Sequence, residues 1–299
     1  MTAKQENLIL ALIGSEPEGL KPIEVHKILF MLGNADPSAA GYEYIPYKMG
    51  CYSPTLSRDL RKLESDGYLK TALDSRGKPL WLLTASGEER SFAARVSGRR
   101  VVQFRRLYPL RGKDLVVDVY KRYPYWAINS TIRDLLLRND SEAIGRIEQA
   151  RPTRHIPLAS IGYEGRSIEN YFNALIKAGI GVLCDVRKNP ISRKYGFSRA
   201  TLSELCEGCG IEYRHYPQLG IPSWERQNLN CQDDYDVLFA RYEKEVLPNC
   251  QKEIDEISEL VKSGRGVALT CFEANPAQCH RTRVAKVVTM NLGVEAVLI

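Results

Sequence analysis

The sequence has no long apolar run. No stretch of about 18 consecutive apolar residues occurs, so we predict that no helix of the chain spans a membrane. The first residues, MTAKQENLIL, lack the basic segment followed by an apolar core that marks a secretory signal. We therefore expect a cytoplasmic protein with no membrane partner. Disulfides are rare in that compartment, so the eight Cys are expected to be buried thiols, ligands or catalytic groups.

The second half of the chain lacks any excess of positive charge. The net charge is +6, but residues 1–155 contain 25 Lys and Arg against 18 Asp and Glu, and residues 156–299 contain 17 against 18. Acidic residues are also absent from residues 90–111, which hold seven Arg. The excess charge of the first half suggests a polyanionic partner for that half alone. A chain of 299 residues is long enough for two domains.

Residues 1–88 have the element order of a winged helix-turn-helix domain, an α+β fold. Apolar residues recur at helical spacing in three segments, and two strand-like segments follow around the turn DSRGK. Ser53 and Pro54 mark the start of the third helix, with Ser as cap and Pro at the first position. The segment YEYIPYKMGCYSPTLSRDLRKLESDGYL resembles bacterial winged-helix proteins. In such a domain the third helix enters a nucleic-acid groove.

Basic side chains of the first half are predicted to contact nucleic acid. DNA is the expected partner and RNA the alternative, and contacts to phosphates would make binding depend on salt. The competing interpretations are a winged helix that only docks proteins, and arginines that pair with acids elsewhere in the chain. The predicted contact residues are Arg58, Arg61 and Lys62 on the third helix, Arg76 and Lys78 at the hairpin turn, and Arg95, Arg99 and Arg106 on the next helix.

Residues 89–150 are predicted to form a helical extension, and residues 151–157, RPTRHIP, read as a linker by composition. The extension carries an aromatic group between Tyr120 and Trp126. These rings are expected to pack the extension or to form a homodimer interface, and a platform for stacking bases is the third alternative.

Residues 158–299 alternate between strand and helix patterns. This alternation predicts an α/β fold with a mostly parallel sheet covered by helices on both faces. The C-terminal ends of parallel strands share one edge, where ligands bind in such folds. The predicted strands are residues 159–163, 181–186, 212–216, 267–271 and 294–299.

Reactive and cationic side chains follow these predicted strands. The segment Gly266–Arg283 is the richest, since it reads as a strand, a loop and a helix for which Asn275 and Pro276 supply the start signal. The candidate catalytic residues are Cys271, Cys279, His280, Glu273 and Asp185. The candidate residues for binding a substrate or anion are Arg281, Arg187, Arg193, Arg166, Ser192, Tyr163 and His215.

The residues leave several chemistries open. Cys271 or Cys279 is a candidate nucleophile with His280 as base. Alternatively, the arginines bind a small anionic ligand or a nucleotide, and the carboxylates serve as acid and base or hold the arginines in place. In a third interpretation the thiols only pack. No metal or cofactor is expected, and zinc on the two thiols and the imidazole is the less favoured alternative.

The second half resembles the family catalogued as domain of unknown function 488. This resemblance implies an α/β domain and brings no established reaction with it. We therefore predict a nucleic-acid-associated protein whose α/β domain acts on or binds a phosphate-bearing substrate, as a transferase or hydrolase if it is an enzyme. The alternatives are a ligand-sensing regulator and a non-catalytic interaction module. The family signatures are Ser160-Ile161-Gly162-Tyr163 with Gly165; Asp185-Val186-Arg187 with Pro190 and Ser192; and Cys271-Phe272-Glu273 with Pro276 and Cys279-His280-Arg281.

Overall fold

The chain folds as two compact units. The computed structural model describes residues 1–227 and 229–299, apart from the side chains of residues 93–97. The first unit spans Met1–Arg151 and the second spans Pro152–Ile299. Within the described residues, every helix is too short or too polar to cross a membrane, as predicted.

The first unit combines α-helices with two antiparallel hairpins. The hairpin of β1 and β2 was not predicted, because strands of three residues are too short to show a periodic pattern. The elements are α1 (Ala3–Gly14), α2 (Pro22–Ala35), β1 (Ile45–Tyr47), β2 (Gly50–Tyr52), α3 (Pro54–Ser65), β3 (Leu69–Leu73), β4 (Pro79–Leu83), α4 (Ala85–Leu107), α5 (Gly112–Arg122), α6 (Arg133–Leu136) and α7 (Ser141–Gln149).

Helix α3 begins where its sequence predicts. The Ser53 hydroxyl accepts a hydrogen bond from the Leu56 amide at 3.2 Å, and Pro54 occupies the first helical position. The apolar residues on one face of α3 are buried, which leaves its basic residues on the opposite face. The buried apolar residues are Leu56, Leu60 and Leu63.

A buried histidine joins α2 to the start of α3. The Ser53 amide donates to His26 Nδ1 at 3.1 Å, and His26 Nε2 lies 3.1 Å from the Ser57 hydroxyl. Because Nδ1 accepts a hydrogen bond, the neutral ring carries its proton on Nε2. Burial, together with the neighbouring Lys27, lowers the pKa of His26 from its ordinary value of 6.5 to about 3.

We predict that His26 makes the first unit sensitive to acid. The folded-state pKa lies below the unfolded one, so the unfolded chain takes up the proton first and stability is lost as the pH falls from about 6.5 towards about 3. Between about pH 7.5 and about pH 5 this residue should cost the fold about 2 kcal/mol. Urea unfolding of the wild type and of His26→Gln at both pH values measures the difference. Equal pH dependence in the two proteins contradicts the prediction.

The second unit is an α/β fold around a parallel five-stranded sheet, which confirms the predicted fold class. The strand order is β7-β6-β8-β5-β9, and every pairing is parallel. The strands are β5 (Leu158–Gly162), β6 (Ile180–Asp185), β7 (Glu212–His215), β8 (Gly266–Cys271) and β9 (Ala296–Leu298). The helices are α8 (Ile168–Lys177), α9 (Arg199–Gly208), α10 (Gln232–Arg241), α11 (Gln251–Lys262) and α12 (His280–Leu292).

Helices cover both faces of this sheet. Leu158 of β5 and alternate residues of β6 and β8 form one buried cluster with residues of α10, α11 and α12. On the other face the Tyr171 hydroxyl of α8 donates to the Thr270 hydroxyl of β8 at 2.8 Å. Register pairs Gly162 with Cys271 across β5 and β8, and Asp185 with His215 across β6 and β7. The C-terminal ends of these four strands therefore meet at one edge.

The helix predicted to start at Asn275 and Pro276 is interrupted. The Asn275 side chain accepts from the Ala277 amide at 3.1 Å, but it caps only a 3-10 turn, Pro276–Gln278. Cys279 then has extended backbone, and α12 starts at His280. Asn275 does act as a cap, but the Asn-Pro pattern does not distinguish a 3-10 turn from the first turn of an α-helix.

Candidate active site at the C-terminal edge of the sheet

Four potential metal-ligating or catalytic side chains converge where β8 ends and α12 begins. Cys271, Glu273, Cys279 and His280 are all buried, and their thiol, carboxylate and imidazole atoms lie within 4.8 Å of one another. Cys271 Sγ is 3.2 Å from Glu273 Oε2 and 3.7 Å from His280 Nδ1. We call these four residues the thiol cluster. They were all among the predicted catalytic residues.

The orientation of His280 is fixed from outside the thiol cluster. Its Nε2 lies 2.8 Å from the Val186 carbonyl oxygen, which can only accept, so Nε2 carries a proton. Nδ1 is therefore the nitrogen that faces Cys271. Burial acts to lower the pKa of His280, but the negative charge of Cys271 raises it.

The two thiols of the cluster differ in acidity. Burial opposes ionisation of Cys271, yet the hydrogen bond from Cys279 and the charge of His280 hold its pKa well below the usual value. Burial and the hydrogen bond to Cys271 raise the pKa of Cys279 well above that value. Cys271 is therefore the thiol that ionises first.

Glu273 is paired with an arginine that the sequence did not single out. Arg226 Nη2 forms an ion pair with Glu273 Oε1, which leaves Oε2 directed at Cys271. Arg226 comes from the loop after β7, and the rule that ligand-binding loops follow strand ends was its only available signal. A Cβ atom on Gly162 would lie 1.9 Å from the Glu273 carbonyl oxygen, so the loop requires glycine at that position.

Arg281, one of the predicted anion-binding residues, is completely buried. Its Nε donates to the Ser160 hydroxyl at 2.9 Å, and its Nη1 donates to the Glu273 carbonyl at 2.6 Å. Nη2 has no hydrogen-bond partner among the described residues. Arg281 thus anchors the loop that carries Glu273 to strand β5.

Asp185 and Arg187 form a buried ion pair. The Asp185 carboxylate is fully buried and accepts from Arg187 Nε at 2.8 Å and from the Tyr213 hydroxyl at 2.7 Å. Arg187 Nη1 donates to the Tyr163 hydroxyl at 3.0 Å and to the Phe197 carbonyl at 2.8 Å. Burial disfavours the charge on Arg187, but Asp185 raises its pKa. Of the two roles considered for Asp185, the geometry favours holding an arginine in place.

A cavity of about 400 Å³ lies against the thiol cluster. Its lining carries four cationic side chains and one carboxylate, and two of the cations, Lys188 and Arg193, are exposed. Within the described residues neither forms an ion pair. The lining residues are Tyr163, Arg187, Lys188, Asn189, Ile191, Ser192, Arg193, Ile221, Ser223, Arg226, Cys271, Phe272, Glu273 and His280.

The remaining predicted residues of this edge divide between the cavity and its surroundings. Ser192 lines the cavity and accepts from the Lys194 amide at 3.1 Å, and Tyr163 stacks on Phe197 at 4.3 Å. Arg166 instead donates to the Ile299 carbonyl at 2.8 Å, and His215 Nε2 lies 2.9 Å from the Arg187 carbonyl. Arg166 and His215 are therefore not part of the cavity lining.

The predicted nucleic-acid contacts of the first unit also divide into two groups. Arg58 is bonded to the buried Asp59 at 2.8 Å, and Lys62 pairs with Asp66 at 2.7 Å. The side chain of Arg95 lies outside the described part of the structure. The predicted contact residues that are exposed and, within the described residues, without an ion pair are Arg61, Arg76, Lys78, Arg99 and Arg106.

Other arginines of residues 90–111 pair with acids of the same unit. Arg90 pairs with Glu6 at 2.7 Å. The largely buried Arg105 pairs with Glu16 at 2.7 Å. The interpretation that these arginines pair with acids elsewhere therefore applies to these members of the set, whereas Arg99 and Arg106 remain exposed.

We predict that Asp185→Asn destabilises the second unit by about 3–5 kcal/mol, because it leaves the Arg187 charge buried without its counterion. The control is Glu212→Gln on the neighbouring strand β7. Its exposed pairs with Arg214 and Arg265 should contribute at most about 1 kcal/mol. Urea unfolding of both variants gives the comparison. Equal losses of stability in the two variants would contradict the prediction that the buried ion pair stabilises the unit more than the exposed pairs do.

Comparison with known families gives a match to the second unit. The family described as Domain of unknown function DUF488 matches residues 167–288. Comparison with curated proteins gives no match. The signatures that begin at Asp185 and Cys271 lie inside the matched range, and the one that begins at Ser160 precedes it. The second half of the chain is therefore similar to DUF488 over the residues that supply the thiol cluster and most of the cavity lining.

Proposed function

We propose that this protein associates with nucleic acid through its first unit and binds and acts on a phosphate-bearing substrate in the cavity of its second unit. The observation that carries the proposal is the position of the thiol cluster in the wall of a cationic cavity. Cys271, Glu273 and His280 all line that cavity. Reactive groups and anion-binding groups therefore face the same space.

The cavity suits an anionic ligand because not all of its cationic side chains are paired with carboxylates of the protein. Arg187 is held by Asp185, and Arg226 by Glu273. Lys188 and Arg193 are exposed and remain available to phosphate oxygens. Hydrogen bonds between such cations and phosphate are stronger than those between neutral groups. The ligand class is a nucleotide, another small phosphate-bearing molecule or a nucleic-acid phosphate.

The first unit supports nucleic-acid binding by its element order and its exposed cations. Helices α1, α2 and α3 followed by the hairpin of β3 and β4 form the order of a winged helix. Arg61 lies on the exposed side of α3, and Arg76 and Lys78 lie at the hairpin turn. In a winged helix these two places approach nucleic acid together.

We predict that removing Arg61, Arg76 and Lys78 together weakens binding to a short DNA duplex. Each lost phosphate contact lowers the slope of log affinity against log salt by about 0.9, so the triple alanine variant should lower the slope by about 2–3. Fluorescence anisotropy across a salt series measures it. The matched control is Lys113→Ala with Arg138→Ala and Arg146→Ala, three exposed cations of the same unit, and it should bind like the wild type.

Binding that does not depend on salt, or a triple variant that binds like the control, contradicts the nucleic-acid proposal. The same titration with an RNA duplex separates the two nucleic acids. A first unit that binds neither leaves the winged helix as an interaction module.

We predict that Lys188→Ala with Arg193→Ala weakens binding of pyrophosphate by at least about tenfold, because two charge-assisted hydrogen bonds are lost. Isothermal titration calorimetry of the full chain measures the affinity. Lys177→Ala with Lys286→Ala removes two exposed cations of the same unit outside the cavity lining and should bind like the wild type. Equal affinity in all three proteins places the phosphate elsewhere and contradicts the proposal.

Enzyme and ligand sensor make different predictions for Cys271→Ser. Phosphorus NMR of the full chain with nucleoside triphosphates and with short oligonucleotides reports turnover. An enzyme converts one of these probes, and Cys271→Ser stops the conversion. A sensor leaves the probes intact, but pyrophosphate changes its affinity for the DNA duplex.

A further inference from the structure

We propose that Cys271, Glu273, Cys279 and His280 form a zinc site in the wall of the cavity. This inference goes beyond the proposed function because it names a metal that the site holds. Zinc was the less favoured interpretation of the sequence. Three features of the geometry support it, namely the donor set, the spacing of the donors and the contacts that hold them.

The donor set matches zinc. Two thiols, one imidazole and one carboxylate are the side-chain ligand types that zinc takes in proteins, and four of them complete a tetrahedron. Magnesium and calcium prefer sites built from oxygen, so the two thiols select against them. Within the described residues this is the one group of Cys, His, Asp and Glu side chains with such spacing.

The spacing of the donors fits a tetrahedral ion. Zinc–sulfur bonds of about 2.3 Å and zinc–nitrogen or zinc–oxygen bonds of about 2.0–2.2 Å place neighbouring ligand atoms about 3.3–3.8 Å apart. Cys271 Sγ lies 3.2 Å from Glu273 Oε2 and 3.7 Å from His280 Nδ1. All four donors lie within 4.8 Å of one another. Shifts of about an ångström or less therefore close the shell around one ion.

The four donor side chains face one another in a buried space. Nε2 of His280 bonds the Val186 carbonyl, so Nδ1 is the ring nitrogen directed at Cys271. Glu273 Oε2 points at Cys271, while Arg226 binds the other carboxylate oxygen. Without an ion these groups share protons, since the Cys271 thiol donates to Glu273 Oε2 and lies beside His280 Nδ1. A divalent ion bound by all four would take the place of those protons.

Outer contacts already hold the ligands in place. The Val186 carbonyl orients the His280 ring, and Arg226 orients Glu273. Such partners of metal ligands fix their direction and tune the metal. The break before α12 has the same effect, because the extended backbone of Cys279 brings its thiol to Cys271.

The zinc ion would lie between the protein core and the ligand space. Cys271, Glu273 and His280 line the cavity, whereas Cys279 lies behind them with no exposed surface. With four protein ligands the shell of the ion is closed, as in structural zinc sites, so the ion would hold Cys271, Glu273 and His280 in the cavity wall rather than bind a cavity ligand itself. Zinc binding therefore does not rest on the proposed function.

Elemental analysis of the full chain tests the site. Protein produced in zinc-supplemented medium without a metal-binding tag should contain about one zinc ion per chain. Cys271→Ser and Cys279→Ser should each lose most of it. The controls are Cys231→Ala, which removes an exposed thiol, and Cys250→Ala, which removes a buried one outside the thiol cluster. Both controls should keep the metal.

Cobalt titration of chelator-treated wild-type protein gives a readout that needs no variant to fold. Tetrahedral ligand-field bands and thiolate-to-cobalt charge-transfer absorption are expected, and zinc should displace them. Wild-type protein that purifies without zinc and shows neither band overturns the proposal, as does a folded Cys279→Ser variant that binds as much metal as the wild type. Protein that binds zinc but not pyrophosphate would support the metal site and contradict the substrate proposal. Protein that binds pyrophosphate but not zinc would support the substrate proposal and contradict the metal site.

Discussion

The edge of the sheet that carries the site depends on one buried arginine. Arg281 bonds the Glu273 carbonyl and the Ser160 hydroxyl from a position with no exposed surface. It thereby fixes the loop after β8 against β5, where only glycine fits at position 162. With that loop fixed, Glu273 lies beside Cys271, and α12 supplies Cys279 and His280. An arginine that resembles an anion ligand in sequence is therefore the support on which the reactive groups rest.

The sequence predicted where the site lies better than how its side chains are used. Strand and helix patterns indicated a parallel sheet, and parallel strands must bring the ends of β5, β6, β7 and β8 together. The direction of each arginine depends on tertiary packing, so the pairing of Arg187 with Asp185 and the burial of Arg281 were not visible. Arg226 lies in a loop without periodicity. The extended residue at Cys279 follows a cap signal that also starts ordinary helices.

In the first unit, too, the sequence did not show how individual charged side chains are used. Composition revealed an excess of Lys and Arg in the first half, but it could not separate paired from exposed cations. Arg105 is largely buried against Glu16, whereas Arg61 and Arg76 remain exposed. Net charge therefore overstates the surface available to nucleic acid. The exposed members are concentrated on α3, at the hairpin turn and on α4, where a winged helix and its extension would meet phosphates.

The central claim is that one site combines a metal held by the thiol cluster with a phosphate held by the cavity. A crystal structure of the full chain with zinc and pyrophosphate, with diffraction data collected on both sides of the zinc absorption edge, tests it most directly. The account predicts one anomalous peak between Cys271, Glu273, Cys279 and His280, and pyrophosphate in contact with Lys188 and Arg193. A structure with no anomalous peak at the thiol cluster, and with pyrophosphate bound away from Lys188 and Arg193, would contradict it.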